Sequence, residues 1–198
     1  VIEWYDYALY GAASGLIISK LFFPNLSPST GVLAAFATFA VGYFARPVGG
    51  IVISHIGDKF GRKPALILTI ALMGLATVLM GLLPTYQSIG IMAPVLLVLL
   101  RLIQGFGAGA ELAGAMVLVA EYAPANKRAF YTGLPNAATL VGIMLATLSF
   151  LGISYLPEEV LLGWAWRVPF LLSGVLFLVA LYIRKHLDET PEYVAAMA

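Results

Sequence analysis

The sequence predicts an all-α membrane protein with six transmembrane helices. Three observations carry that expectation. Of 198 residues, 61% are hydrophobic and only 11% are charged, with a mean hydropathy of +0.95; an ordinary soluble domain carries about 25% charged residues. A soluble fold of this size could not hide so much apolar surface. The apolar residues also fall into six stretches, at about 1–23, 31–56, 64–83, 94–120, 130–155 and 166–184. Each has the roughly 19–20 residues that cross a hydrocarbon core of about 30 Å. None alternates with a period of two, which excludes the strands of a membrane barrel. Backbone in lipid must bond to itself, so the stretches are helices.

The breaks between them carry turn chemistry. Pro24, Asn25, Ser27 and Pro28 end the first stretch. The segment from Gly57 to Pro64 separates the second from the third, and Pro84 through Pro94 forms the third break. Pro124 with Asn126 marks the fourth, and Pro157 with two glutamates the fifth. After the sixth stretch, Thr190 and Pro191 read as an N-cap with proline at the first helical position. The expected organisation is a transmembrane bundle over 1–185, with 186–198 starting a cytoplasmic linker. Basic residues set the orientation. Lys59, Arg62, Lys63, Lys127, Arg128, Arg184 and Lys185 fall in the second, fourth and sixth breaks, whereas Lys20 and Arg167 lie near the opposite side. The positive-inside rule then puts the even breaks and both ends of the segment in the cytoplasm.

Several functions are excluded. Eleven Lys plus Arg are nearly cancelled by ten Asp plus Glu, which leaves no basic footprint for nucleic acid. There is no cysteine for a disulfide, thiolate site or nucleophile. His55 and His186 have no second metal ligand at useful spacing, so neither metal nor cofactor is expected. No GxSxG elbow or HExxH pair is present, so no enzyme is expected. Gly105, Gly107 and Gly109 lie inside an apolar helix rather than after a strand, so they are no dinucleotide fingerprint. The GxxxG steps Gly11/Gly15 and Gly105/Gly109 read instead as close helix packing.

Charges within the spans carry the functional signal, because they are costly in lipid and usually face a bundle interior or a wet cavity. They are Glu3, Asp6, Arg46, Arg101 and Glu111. Arg101, Gln104, Ala108 and Glu111 fall on one helical stripe, with Arg101 and Glu111 about 15 Å apart along the axis. Glu3, Asp6, Tyr10 and Ser14 share a face of the first helix. Thr38, Gly42, Arg46 and Gly49 share one of the second, and Thr132, Asn136, Thr139 and Thr147 one of the fifth. Three carboxylates against two guanidiniums would be balanced by one bound proton. Burial and a neighbouring guanidinium act in opposite directions on a carboxyl's affinity for that proton, so small rearrangements can load or unload it. The expected proton-coupling residues are Asp6, Glu111 and Arg101. The expected substrate contacts are Arg46, Arg101, Gln104, Tyr10 and Asn136, with arginine suited to a carboxylate by its bidentate fork.

The second break reads Gly57-Asp58-Lys59-Phe60-Gly61-Arg62-Lys63, which resembles the signature loop between helices two and three of the major facilitator superfamily. The run from Arg101 to Gly109 resembles the superfamily's arginine motif on helix four, which the resemblance links to proton transfer. Further stretches look like the metabolite:proton symporter family: 3–11, Arg46-Pro47-Val48-Gly49-Gly50, Glu121 with Pro124, Lys127 and Arg128, 166–170, and 189–192. Within that family, 33–50 and 94–131 look most like shikimate-type transporters; relatives carry 2-oxoglutarate, citrate, or proline and betaine. Ala110 and Ala113 stand beside Glu111 where the family often has glycine. The glycine-proline motif of drug antiporters is not seen around Pro135 and Gly142, which favours symport. The resemblance implies the N-terminal half of a twelve-helix fold, with substrate bound between two six-helix halves. It implies a small-molecule partner, a carboxylate, together with a proton, the lipid bilayer and a C-terminal half. It also implies a cytoplasmic gate made from Gly57, Asp58, Gly61, Arg62, Lys63, Glu121 and Arg128.

Overall fold

A computed structural model describes residues 1–188 and 195. Residues 189–192, where a helix cap is expected, lie outside the described residues. The first span is α1 (Ile2–Ala13), a π turn (Ser14–Ile18) and α2 (Ser19–Phe22). The second is α3 (Pro28–Phe60) and the third is α4 (Arg62–Leu82). After the short α5 (Tyr86–Ile89), the fourth is α6 (Met92–Ala108) followed by α7 (Glu111–Tyr122). The fifth is α8 (Arg128–Ser154). The sixth comprises α9 (Glu158–Val160), a second π turn (Leu161–Ala165) and α10 (Arg167–Lys185).

Local chemistry explains the boundaries. Ser27 caps α3 by accepting from the Thr30 amide at 3.3 Å, with Pro28 in the first turn where no amide hydrogen is needed. Between α3 and α4 the chain turns at Gly61, whose φ of 108° is open only to glycine. The Gly61 amide donates back to the Gly57 carbonyl at 3.1 Å and closes the last turn of α3. Five helical segments among the described residues are long and apolar enough to cross a membrane. The first span joins them as a sixth, split by its π turn.

The packing has a two-fold logic that the sequence did not display. α1 packs on α8, α6 packs on α3, and α4 packs on α10. Exchanging the first three spans for the last three maps each of these pairs onto another or onto itself, as an inverted three-plus-three repeat requires. Glycines permit two of the contacts. Gly42 of α3 lies against the Gly105 backbone and the Arg101 guanidinium, and Gly142 of α8 lies against the Val1 carbonyl and Tyr5 amide. The Gly105/Gly109 step packs closely as expected. The Gly11/Gly15 step does not: nothing lies within 4 Å of where side chains would stand. That face of the first span is open, beside half-buried Ala8 and exposed Ala12 and Leu16.

Candidate functional site: a buried polar chain and an ion-pair clamp

Asp6 is 1% exposed, at the meeting of α1, α4 and α10. Its Oδ2 accepts from the Thr77 hydroxyl and its Oδ1 from the Ser173 hydroxyl, both at 2.6 Å. No cation lies within ion-pair distance of it among the described residues. Gln104 Nε2 donates to Thr77 Oγ1 at 2.8 Å, and Gln104 Oε1 accepts from Arg101 Nη1. A continuous chain therefore runs Asp6–Thr77–Gln104–Arg101. Arg101 is fully buried. Its Nη2 donates to the Phe39 carbonyl at 2.7 Å and its Nε to the Thr38 carbonyl at 3.4 Å. Its Cζ lies 4.4 Å from the Tyr10 ring centre, 5.0 Å from Phe39 and 5.1 Å from Tyr7. Tyr10 Oη and Thr38 Oγ1 share a hydrogen bond at 2.6 Å. Carbonyl dipoles and ring faces thus hold this guanidinium where a carboxylate ordinarily would.

Arg46 forms an ion pair with buried Glu3, and its Cζ lies 4.6 Å from the Tyr7 ring centre and 5.3 Å from Tyr43. Four of the expected residues, on α1 and α6 (Asp6, Tyr10, Arg101 and Gln104), thus share one connected site, with Arg46 of α3 beside them across Tyr7. Asn136 does not join: it stands on an exposed face of α8.

Glu111 departs from the expected stripe. The helix breaks at Gly109–Ala110 and restarts at Glu111, so Arg101 and Glu111 do not line one continuous wall. Glu111 Oε2 accepts from Thr69 Oγ1 at 2.8 Å and from Arg184 Nη1 at 3.1 Å, and Arg184 Nη2 donates to Oε1. Arg184 also donates to the Leu66 carbonyl at 2.5 Å. α4, α7 and α10 are clamped together there. This corrects the charge count. Arg184 stands at the end of its span in sequence, but the last turn of α10 tucks its guanidinium under α4. With Arg184 counted, the carboxylates Glu3, Asp6 and Glu111 are matched in number by Arg46, Arg101 and Arg184.

Further along α7, Glu121 lies 3.9 Å from Arg62, and Arg62 lies 3.8 Å from Asp58. One guanidinium is shared by two carboxylates, and the Asp58 side chain is 68% exposed. Gly57 stands close to Ala65, its missing side chain letting α3 and α4 meet. Lys63 lines a small crevice with Arg184 and Asp188. Arg128 is exposed at the first turn of α8.

Sequence reasoning missed Thr77, Ser173, Thr69, Arg184, Tyr7 and Tyr43. The available signal was an isolated hydroxyl in an apolar helix, which equally marks ordinary helix contacts.

A six-helix apolar bundle with a buried acid wired to a buried arginine is the half-structure of a membrane transporter of the major facilitator type. A family model for sugar (and other) transporters matches residues 1–198, and the chain belongs to that family. It is 48% identical to the shikimate transporter of Escherichia coli (strain K12) over 98% of this chain and 44% of that protein. An inner membrane metabolite transport protein of the same strain is 42% identical over 97% of this chain and 44% of that protein. The proline/betaine transporter of Salmonella typhimurium is 40% identical over 97% of this chain and 38% of that protein. The chain spans about half the length of the curated relatives it matches. The fold matches the partially occluded inward-open xylose transporter XylE from E. coli with a TM-score of 0.79, over all of this chain and 51% of that one, at 19% identity. These relatives are transporters, not enzymes.

Proposed function

We propose that this chain is half of a proton-coupled symporter that takes a small organic acid, such as shikimate or a di- or tricarboxylate, across the cytoplasmic membrane by alternating access. The observation that carries the reading is Asp6, sealed among three helices, bonded to the Thr77 and Ser173 hydroxyls and connected through Thr77 and Gln104 to Arg101. Hydroxyls can turn to accept from a protonated carboxyl or donate to an ionised one, so Asp6 can exchange a proton without moving a helix. A charge change on Asp6 is felt along the hydrogen-bond chain at Arg101. Arg46 and Arg101 supply positive charge for a carboxylate. The clamp residues Glu111 and Arg184, with Asp58, Arg62 and Glu121, would bias the cytoplasmic gate between its states. A C-terminal half would supply the opposite wall. The distribution of basic residues supports cytoplasmic ends for the segment. The second reading is uptake of a zwitterionic osmolyte, favoured by the comparable identity to proline/betaine transporters.

The test is uptake of labelled shikimate by cells expressing the complete gene product, with and without a protonophore. Saturable uptake that collapses with the protonophore is expected. No uptake, with the protein verified in the membrane, rejects shikimate; activation by osmotic upshift with betaine as substrate would establish the second reading.

A further inference from the structure

The surroundings of Tyr7 are not explained by packing. Its ring is 3% exposed and lies within cation–π distance of two guanidiniums, Arg46 at 4.6 Å and Arg101 at 5.1 Å. It also packs against Tyr43, with ring centres 5.2 Å apart. Yet the Tyr7 hydroxyl is buried without a hydrogen-bond partner, and so is Arg46 Nε. Buried polar groups are nearly always satisfied, so two donors without partners among the described residues, on a ring and on the guanidinium 4.6 Å from its centre, call for an occupant.

The charge balance points the same way. Two guanidiniums flank the Tyr7 ring, and Glu3 is the one carboxylate in direct ion-pair contact with either of them among the described residues. Asp6 is turned away and bonded to hydroxyls on α4 and α10. The cluster of Glu3, Arg46 and Arg101 around Tyr7 therefore carries a surplus positive charge. Its opening is on the Tyr43 side: Tyr43 is 43% exposed and the Arg46 side chain 24%. Aromatic rings grip a guanidinium by its face and leave the N–H edge for a planar acceptor.

We propose that Tyr7 and Tyr43 frame Arg46 as an anion subsite, in which a substrate carboxylate takes the place of Glu3 on the guanidinium and accepts a hydrogen bond from the Tyr7 hydroxyl. This rests on the reading of the chain as half of an organic-acid carrier and adds two residues that fix how the acid is held. Glu3 is the resident occupant that keeps Arg46 neutralised when no substrate is bound. Tyr7 reads the anion, and the Tyr43 ring holds the guanidinium plane so that its edge faces the opening. An ester of the same acid presents no anion and gains nothing from the site.

The experiment uses the complete gene product in cells, with labelled shikimate, 2-oxoglutarate, citrate and betaine as probes and methyl shikimate as a competitor. Tyr7→Phe removes one hydroxyl and keeps the ring, so the amount of the variant in the membrane should match wild type. The expected result is a KM for the transported acid raised roughly ten-fold, with discrimination between the acid and its methyl ester reduced by the same factor. Tyr43→Leu, which keeps bulk but loses the ring, should also raise KM. An unchanged KM and unchanged acid-to-ester discrimination in Tyr7→Phe, with wild type transporting one of the acids, overturns the subsite and leaves the carrier reading intact. Failure of wild type to transport any of the four overturns both.

Discussion

The buried chain around Asp6 and the clamp around Glu111 share α4 and α10 but handle charge in opposite ways. Asp6 and Arg101 are kept from direct contact and are satisfied by hydroxyls, an amide, carbonyls and rings. Glu111 and Arg184 are in bidentate contact, and Arg62 sits between Asp58 and Glu121. A matched ion pair is settled: removing either partner leaves a charge without compensation. A charge held by neutral groups can change protonation or accept a ligand while the groups around it re-orient. Under the proposed function, the first region would exchange proton and substrate and the second would control helix position.

The largest effect expected is at the cytoplasmic turn. Asp58→Asn should abolish both uptake and substrate exchange while leaving insertion intact, because Arg62 already serves Glu121 and Asp58 is the exposed carboxylate able to meet a basic group across the gate. Wild-type uptake in that variant removes Asp58 from the gate. Asp6→Asn should be more selective. The amide keeps the shape, accepts from one of the Thr77 and Ser173 hydroxyls and donates to the other, but has no titratable proton. Proton-driven accumulation should fall on the order of 100-fold, while counterflow of unlabelled for labelled substrate persists. Equal loss of both modes would make Asp6 a structural residue. The smallest effect on transport, and the largest on stability, is expected at the clamp. Arg184→Met strands Glu111 and should cost about 3 kcal/mol, read as a lowered Tm in detergent. Adding Glu111→Gln should restore most of it. If Glu111→Gln alone abolishes proton coupling at normal Tm, the division between the two regions is wrong and Glu111 carries the proton.

The residues that were legible early are those whose meaning is local. Asp6, Arg46, Arg101 and Gln104 stood out because a charged or amide group inside an apolar run is costly wherever it points. The Gly57–Lys63 turn was legible because its glycines and charges act within one loop. The partners were not. Thr77 and Ser173 are hydroxyls in apolar helices, like those of Thr147 and Ser154, which donate to carbonyls of their own helix. Arg184 read as a topology signal because its place at the end of a span says nothing about which way the last turn faces. Asn136 shared a stripe with three threonines, and that stripe is exposed or half-buried in this half-bundle, apart from the Asp6–Arg101 chain.

Composition and period determined by themselves that this chain crosses a membrane as six helices, because hydropathy and backbone satisfaction in lipid are settled within each stretch of about 20 residues. The motifs placed it in its family for the same reason. Only the tertiary structure decided which charges meet. Asp6 is completed by residues 71 and 167 positions away, and Glu111 by one 73 positions away. Those meetings depend on the facing of four helices. A single helical period leaves that facing undetermined until the glycine contacts between α3 and α6, and between α1 and α8, lock their rotation.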